Sequence, residues 1–92
     1  MSESVIRRRA VVRGRVQGVF FRDSTREQAQ AAGVSGSVRN LDDGAVEVIL
    51  EGPPDAVQRV LAFAHDGPDR ARVEDIEVSE EKPQGLSSFE VD

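Results

Sequence analysis

The sequence predicts an α+β fold: a ferredoxin-like α/β sandwich in which one antiparallel sheet carries two helices on one face and leaves the other face more open to water. Three observations predict it. Apolar residues recur at period two and at helical spacing in the order β-α-β-β-α-β, followed by a short last strand. Glycine or proline stands at most changes from one spacing to the other. No linker or low-complexity stretch separates the two βαβ halves, so they share one sheet, and residues 1–92 are expected to form a single domain.

The first strand runs from Arg7 to Gly14, with Ala10 and Val12 on one side and Arg9 and Arg13 flanking them. Arg15 to Phe20 holds a glycine between short segments and reads as a loop. Phe21, Thr25, Ala29 and Ala32 then recur at helical spacing, and Gly33 stops that helix after about three turns. Val34, Gly36 and Val38 fall on one face of a second strand. Val46, Val48 and Leu50 fall on one face of a third, with Glu47 and Glu51 turned outward. Asn40-Leu41-Asp42-Asp43-Gly44 between them is a hairpin turn. Pro53 and Pro54 open the second helix in its first turn, where a missing N–H costs nothing, and Val57, Val60, Leu61 and Ala64 form its apolar stripe with Phe63 at the side. Asp66-Gly67-Pro68-Asp69 ends it. The uneven spacing of Val73, Ile76 and Val78 predicts a strand with a bulge, and Phe89 and Val91 mark the short closing strand.

Composition narrows the chemistry. Hydrophobic residues make up 38% and charged residues 32%, a globular mixture. No run approaches the roughly 18 apolar residues of a membrane span, and Met1 to Ile6 is too short and polar for a signal peptide. The absence of cysteine removes disulfides, thiolate metal sites and a thiol nucleophile, and makes the cytoplasm the default location. A single histidine, His65, removes paired-histidine metal sites and most triad chemistry. The net charge of −5 argues against non-specific nucleic-acid binding, and the absence of Trp and Tyr disfavours base stacking on the open sheet face. The charge is uneven, however. Residues 1–26 hold seven arginines against Glu3 and Asp23, which reads first as a strand with solvated arginines and second as local attraction for a small anion.

Two stretches carry chemistry. Gly14-Arg15-Val16-Gln17-Gly18-Val19-Phe20-Phe21-Arg22 leads from the first strand into the first helix. A glycine-bearing loop there turns successive N–H groups into one concavity, the helix dipole adds to it, and Arg22 brings a planar fork that pairs with phosphate oxygens. It lacks the Gly-x-x-x-x-Gly-Lys pattern of nucleotide binders. Gly36-Ser37-Val38-Arg39-Asn40-Leu41-Asp42-Asp43-Gly44 is the second. Its aspartates build a turn and lack calcium-loop spacing. The end of the second strand lies towards the loop leaving the first, and Asn40 both donates and accepts, so it can hold one water in line with a bound phosphorus. His65 reads as a helix-end residue, and Gly33-Val34-Ser35-Gly36-Ser37 lacks the final glycine of a nucleophile elbow.

Together these stretches resemble the acylphosphatase family, and the resemblance spans essentially the whole chain. Its signature of glycine, any residue, Val-Gln-Gly-Val, any residue, aromatic, arginine is met at Gly14 through Arg22, and its second, ending in asparagine before Asp-Gly, at Gly36 through Asn40 and on to Gly44. Ser37 departs from it, since an aromatic often follows that glycine. The resemblance implies hydrolysis of the carboxyl-phosphate anhydride to a carboxylate and inorganic phosphate, without metal, cofactor or covalent intermediate. Arg22 would bind phosphate, Asn40 would orient the attacking water, and backbone amides of Arg15, Val16, Gln17, Gly18, Val19 and Phe20 would complete the cradle. The expected partners are a small-molecule acyl phosphate and inorganic phosphate as product and competitive inhibitor; no nucleic acid or membrane is expected, and the chain is expected to be a monomer. A second reading is a non-catalytic anion-binding or regulatory module. A third, part of a larger carbamoyl-phosphate-handling protein, ranks below a stand-alone protein because the terminal elements read as complete and no zinc-binding segment is attached.

Overall fold

Val46–Gly52 is buried along its whole length, and the sheet is arranged around it. The computed structural model describes residues 4–92. In chain order the elements are β1 (Ile6–Arg15), α1 (Phe21–Ala32), β2 (Ser35–Asn40), β3 (Val46–Gly52), α2 (Pro54–Asp66), β4 (Arg72–Glu81) and β5 (Phe89–Val91). The strands lie in the order β4-β1-β3-β2-β5, the crossed pattern of two interlocked βαβ units. The second helix begins as the prolines require, with Pro53 as its cap and Pro54 in its first turn.

Four strands pair antiparallel, but β5 runs parallel to β2, so the sheet is mixed rather than wholly antiparallel. The connection explains the difference. β4 finishes beside the start of β1, where Glu81 faces Arg7, and β5 begins beside Gly36 near the start of β2. The intervening segment therefore crosses from one sheet edge to the other at a single end, and the chain must climb alongside β2 in the same direction. The expected bulge is present: Arg13 faces Asp75 and Gly14 faces Val73, which leaves Glu74 as the extra residue of β4.

The core lies between helices and sheet. Phe21, Thr25 and Ala29 of α1 and Val57, Val60, Leu61 and Ala64 of α2 cover Ala10, Val12, Val38, Val46, Val48 and Leu50. Each fully buried Val or Leu contributes about 1.5–3 kcal/mol. Thr25 is tolerated there because its hydroxyl donates to the Phe21 carbonyl oxygen at 2.8 Å. The rings of Phe21 and Phe63 lie 6.4 Å apart in a tilted pair that joins the helices. β2 approaches β3 closely at Gly36, whose φ is +146°, and a Cβ there would collide with the Ile49 carbonyl oxygen.

The helix-free face departs from expectation. Glu47 and Glu51 point away from the helices, yet they are only 8% and 3% exposed rather than solvated. Arginines cover them. Glu47 accepts from Arg9 at 2.7 Å and from Arg39 at 2.9 Å. Glu51 accepts from Arg7 at 3.4 Å and from the amides of Gln84 and Leu86 at 2.7 Å each, while Arg7 also donates to Glu81 at 2.8 Å. Much of the arginine-rich first strand is thus spent on ion pairs, not on solvent. Burial pushes the Glu51 carboxyl up, but the two amides and Arg7 outweigh it and hold the group below the ordinary carboxylate value. Glu47 is also held low, burial being outweighed by Arg9 and Arg39.

A depressed folded-state value means that these glutamates stabilise the fold above pH ~4.5 and cease to do so as pH falls through their lower native values. Urea unfolding between pH 7 and pH 3 should show a plateau followed by an acid decline. Glu51→Gln leaves an amide donor against a backbone N–H and should cost about 3 kcal/mol at pH 7 while flattening part of that decline. Gly36→Ala should cost at least as much at every pH in the same measurement, because its penalty is steric.

Candidate active site

The segment between β1 and α1 is pinned on both sides. Val16 and Val19 are buried at 1% and 5% exposure and anchor it in the core. The Gln17 side chain turns the other way and donates at 2.9 Å to both the Leu41 and Ala45 carbonyl oxygens, tying the segment to the β2–β3 hairpin. Gly18 and Phe20 between these anchors have φ of +74° and +65°. Glycine takes such a value freely; phenylalanine does so at a cost of about 1–2 kcal/mol. The amide of Ser24 donates to the Phe20 carbonyl oxygen at 3.0 Å and starts the helix. Among the described residues, the amides of Gln17, Gly18, Val19 and Phe20 donate no hydrogen bond, and they precede a helix N-terminus that favours negative charge.

A cavity of about 320 Å³ opens beside this segment. Val16, Gly18, Phe20 and Phe21 line it from the loop and the start of α1, and Val91 from β5. Two charges stand on its wall, Arg22 and Asp23. Four of the seven arginines among residues 1–26 make side-chain ion pairs, and Arg8, Arg15 and Arg22 do not among the described residues. Arg7, Arg9, Arg13 and Arg26 each face a carboxylate, at Glu51 and Glu81, Glu47, Asp43 and Asp23 respectively. No Asp or Glu side chain lies within ion-pair reach of Arg22 among the described residues, and its Nη1 donates at 2.6 Å to the main-chain oxygen of Asp92, the last residue of the sequence. That contact occupies one nitrogen and leaves the remaining donors of the fork available.

Four of the residues singled out in the sequence therefore line one cavity: Val16, Gly18, Phe20 and Arg22. Arg15 ends β1 as an exposed residue opposite Arg72, Gln17 serves the hairpin, and Val19 serves the core. Asn40 is the exposed last residue of β2, facing Val46, and does not line the cavity. Two positions beyond buried Val38, it shares the helix-side face of the strand, at the sheet end where Gln17 docks. Reading by spacing missed the contribution of Val91, whose place on the wall depends on the parallel pairing of β5 with β2.

The model of the acylphosphatase family matches residues 8–91. An acylphosphatase from Haloarcula marismortui is 55% identical over 80 residues, covering 87% of this chain and 88% of that protein. One from Gloeobacter violaceus is 52% identical over 88 residues, covering 96% and 95%. The crystal structure of acylphosphatase from Bacillus subtilis superposes with a TM-score of 0.90 at 37% identity, over 94% of this chain and 97% of that one. The fold, the loop and Arg22 on the cavity wall thus coincide with a match in sequence and structure over almost the full length, and the chain belongs to the acylphosphatase family.

Proposed function

We propose that this protein is an acylphosphatase that hydrolyses the carboxyl-phosphate bond of small acyl phosphates to a carboxylate and inorganic phosphate. The observation that carries the reading is Arg22, a guanidinium with donors to spare on the wall of a cavity formed by a loop with unspent amides. Phosphate oxygens replace the Asp92 oxygen on part of the guanidinium fork, and the amides of Arg15 to Phe20 with the N-terminus of α1 hold the rest of the charge.

Asn40 orients a water opposite the acyl oxygen. The water oxygen forms the new bond to phosphorus as the bond to the acyl oxygen breaks, the electron pair leaves with the carboxylate, and the water proton passes to phosphate or bulk solvent. The leaving carboxylate has a conjugate-acid pKa near ~4–5, so no protonating acid is required. In a loose transition state the nucleophile needs placement more than deprotonation, which an amide supplies. Metal independence fits this economy, since the charge that a metal would neutralise is met by Arg22 and backbone dipoles. We further assign residues 1–92 to one catalytic domain acting as a cytoplasmic monomer, a reading supported by the single core and the cysteine-free composition.

Phosphate release from benzoyl phosphate should persist in excess chelator, with inorganic phosphate as a competitive inhibitor. Arg22→Lys replaces a fork by a point charge and should lower kcat/KM on the order of a hundredfold while retaining the far-ultraviolet spectrum of the fold. Asn40→Ala should lower kcat by a similar factor and leave the inhibition constant for phosphate within about twofold. Full turnover by folded Asn40→Ala protein, or chelator-sensitive turnover by the wild type, would overturn the corresponding assignment. Sedimentation at micromolar concentration tests the monomer.

A further inference from the structure

Phe20 breaks two rules at once. It is 68% exposed, more than Val5, Val78 or Leu86, and it is the one non-glycine residue with positive φ among the described residues. Its side chain does not cap the helix whose first turn it precedes. Glycine would satisfy the backbone and solvent there, and would also suit the capping position. A bulky ring kept at such a point invites a reason in what it faces. It faces the cavity that holds Arg22.

That cavity has the polarity of an acyl phosphate. Arg22 gives it a charged end, while Val16, Phe21 and Val91 join Phe20 in an apolar remainder. Its volume of about 320 Å³ exceeds the need of a phosphate group and reaches the lower end of the roughly 300–1,000 Å³ range of sites for small organic molecules. Asp23 on the same lining opposes an acyl group carrying a second negative charge, with Arg26 3.8 Å away as its partial counterion.

Resting on the acyl-phosphate reading above, we propose that Phe20 is a specificity-determining residue whose ring seats the acyl group, so that substrates with apolar and above all aromatic acyl groups are preferred over short or charged ones. Ring-on-ring contact at a half-dry site is worth about three- to tenfold in binding. The left-handed backbone is the cost of holding the ring over the cavity instead of letting it fold back onto the helix.

The test is the ratio of kcat/KM for benzoyl phosphate to that for acetyl phosphate, because a disturbance of the shared phosphate loop cancels in it. Phe20→Gly removes the ring and relieves the backbone, so thermal unfolding should occur no lower than in the wild type. The ratio should fall about three- to tenfold in Phe20→Gly and in Phe20→Asn, which tolerates the same φ without apolar surface, chiefly through KM for benzoyl phosphate. Phe20→Leu should retain part of it. An unchanged ratio in the Gly and Asn variants, or a wild type that favours acetyl phosphate, overturns the proposal. A wild type that hydrolyses neither compound overturns the acyl-phosphate reading itself, and the proposal falls with it.

Discussion

The carboxylate of Glu51 is the junction on which the remaining architecture depends. It sits on the central strand with its side chain on the face that carries no helix, and little water reaches it. A charge in that position must be met by donors or abandoned. Arg7 meets it from β1, and the amides of Gln84 and Leu86 meet it from the segment between β4 and β5. The segment is thereby laid across the end of the sheet and delivers β5 beside β2, with Phe89 in the core and Val91 on the cavity wall. The same delivery sets the Asp92 oxygen against Arg22. A buried ion group on one face thus fixes the boundary of a site assembled at the other end of the chain's path.

The site itself follows from unspent capacity. An acidic protein with a net charge of −5 repels anions at long range, and the proposed phosphate site rests on local fields. Arg7, Arg9 and Arg13 do not supply them, because they are paired with glutamates and an aspartate. What serves is the guanidinium of Arg22, with one nitrogen on the main-chain oxygen of Asp92, and a run of loop amides without acceptors among the described residues, held still by two buried valines and by Gln17. Rigidity matters because donors that are already oriented need not be reorganised when charge arrives.

Sequence patterns carried most of this, and their failures have a common cause. Helices and strands were legible because each buries one face, so period alone reports them, and the bulge at Glu74 was legible as a broken period in β4. The direction of β5 was not, since a three-residue strand has too little pattern to reveal its partner. Glu47 and Glu51 misled because alternation tells which face a residue takes but not whether that face is covered. The signal that would have corrected it is pairwise: Arg7 faces Glu51, and Arg9 lies two residues along beside Glu47, visible only once the β1–β3 register is known. At the site, Arg22 and the glycine loop stood out by residue type. The left-handed backbone of Phe20 did not, because nothing in a phenylalanine announces positive φ.

β4 and β5 form the two borders of the sheet, and each leaves backbone groups that a strand from another copy would find complementary. β5 offers only three residues. β4 is ten residues long and largely exposed, and it carries Glu74, Asp75, Glu77, Glu80 and Glu81. An antiparallel approach by the same strand of a second molecule would crowd the five acids of each copy along one seam, with Arg72 as the only base of the strand. Self-association by sheet extension is therefore opposed by brevity at one border and by repulsion at the other, and only the second guard relaxes when salt is raised or the medium is acidified.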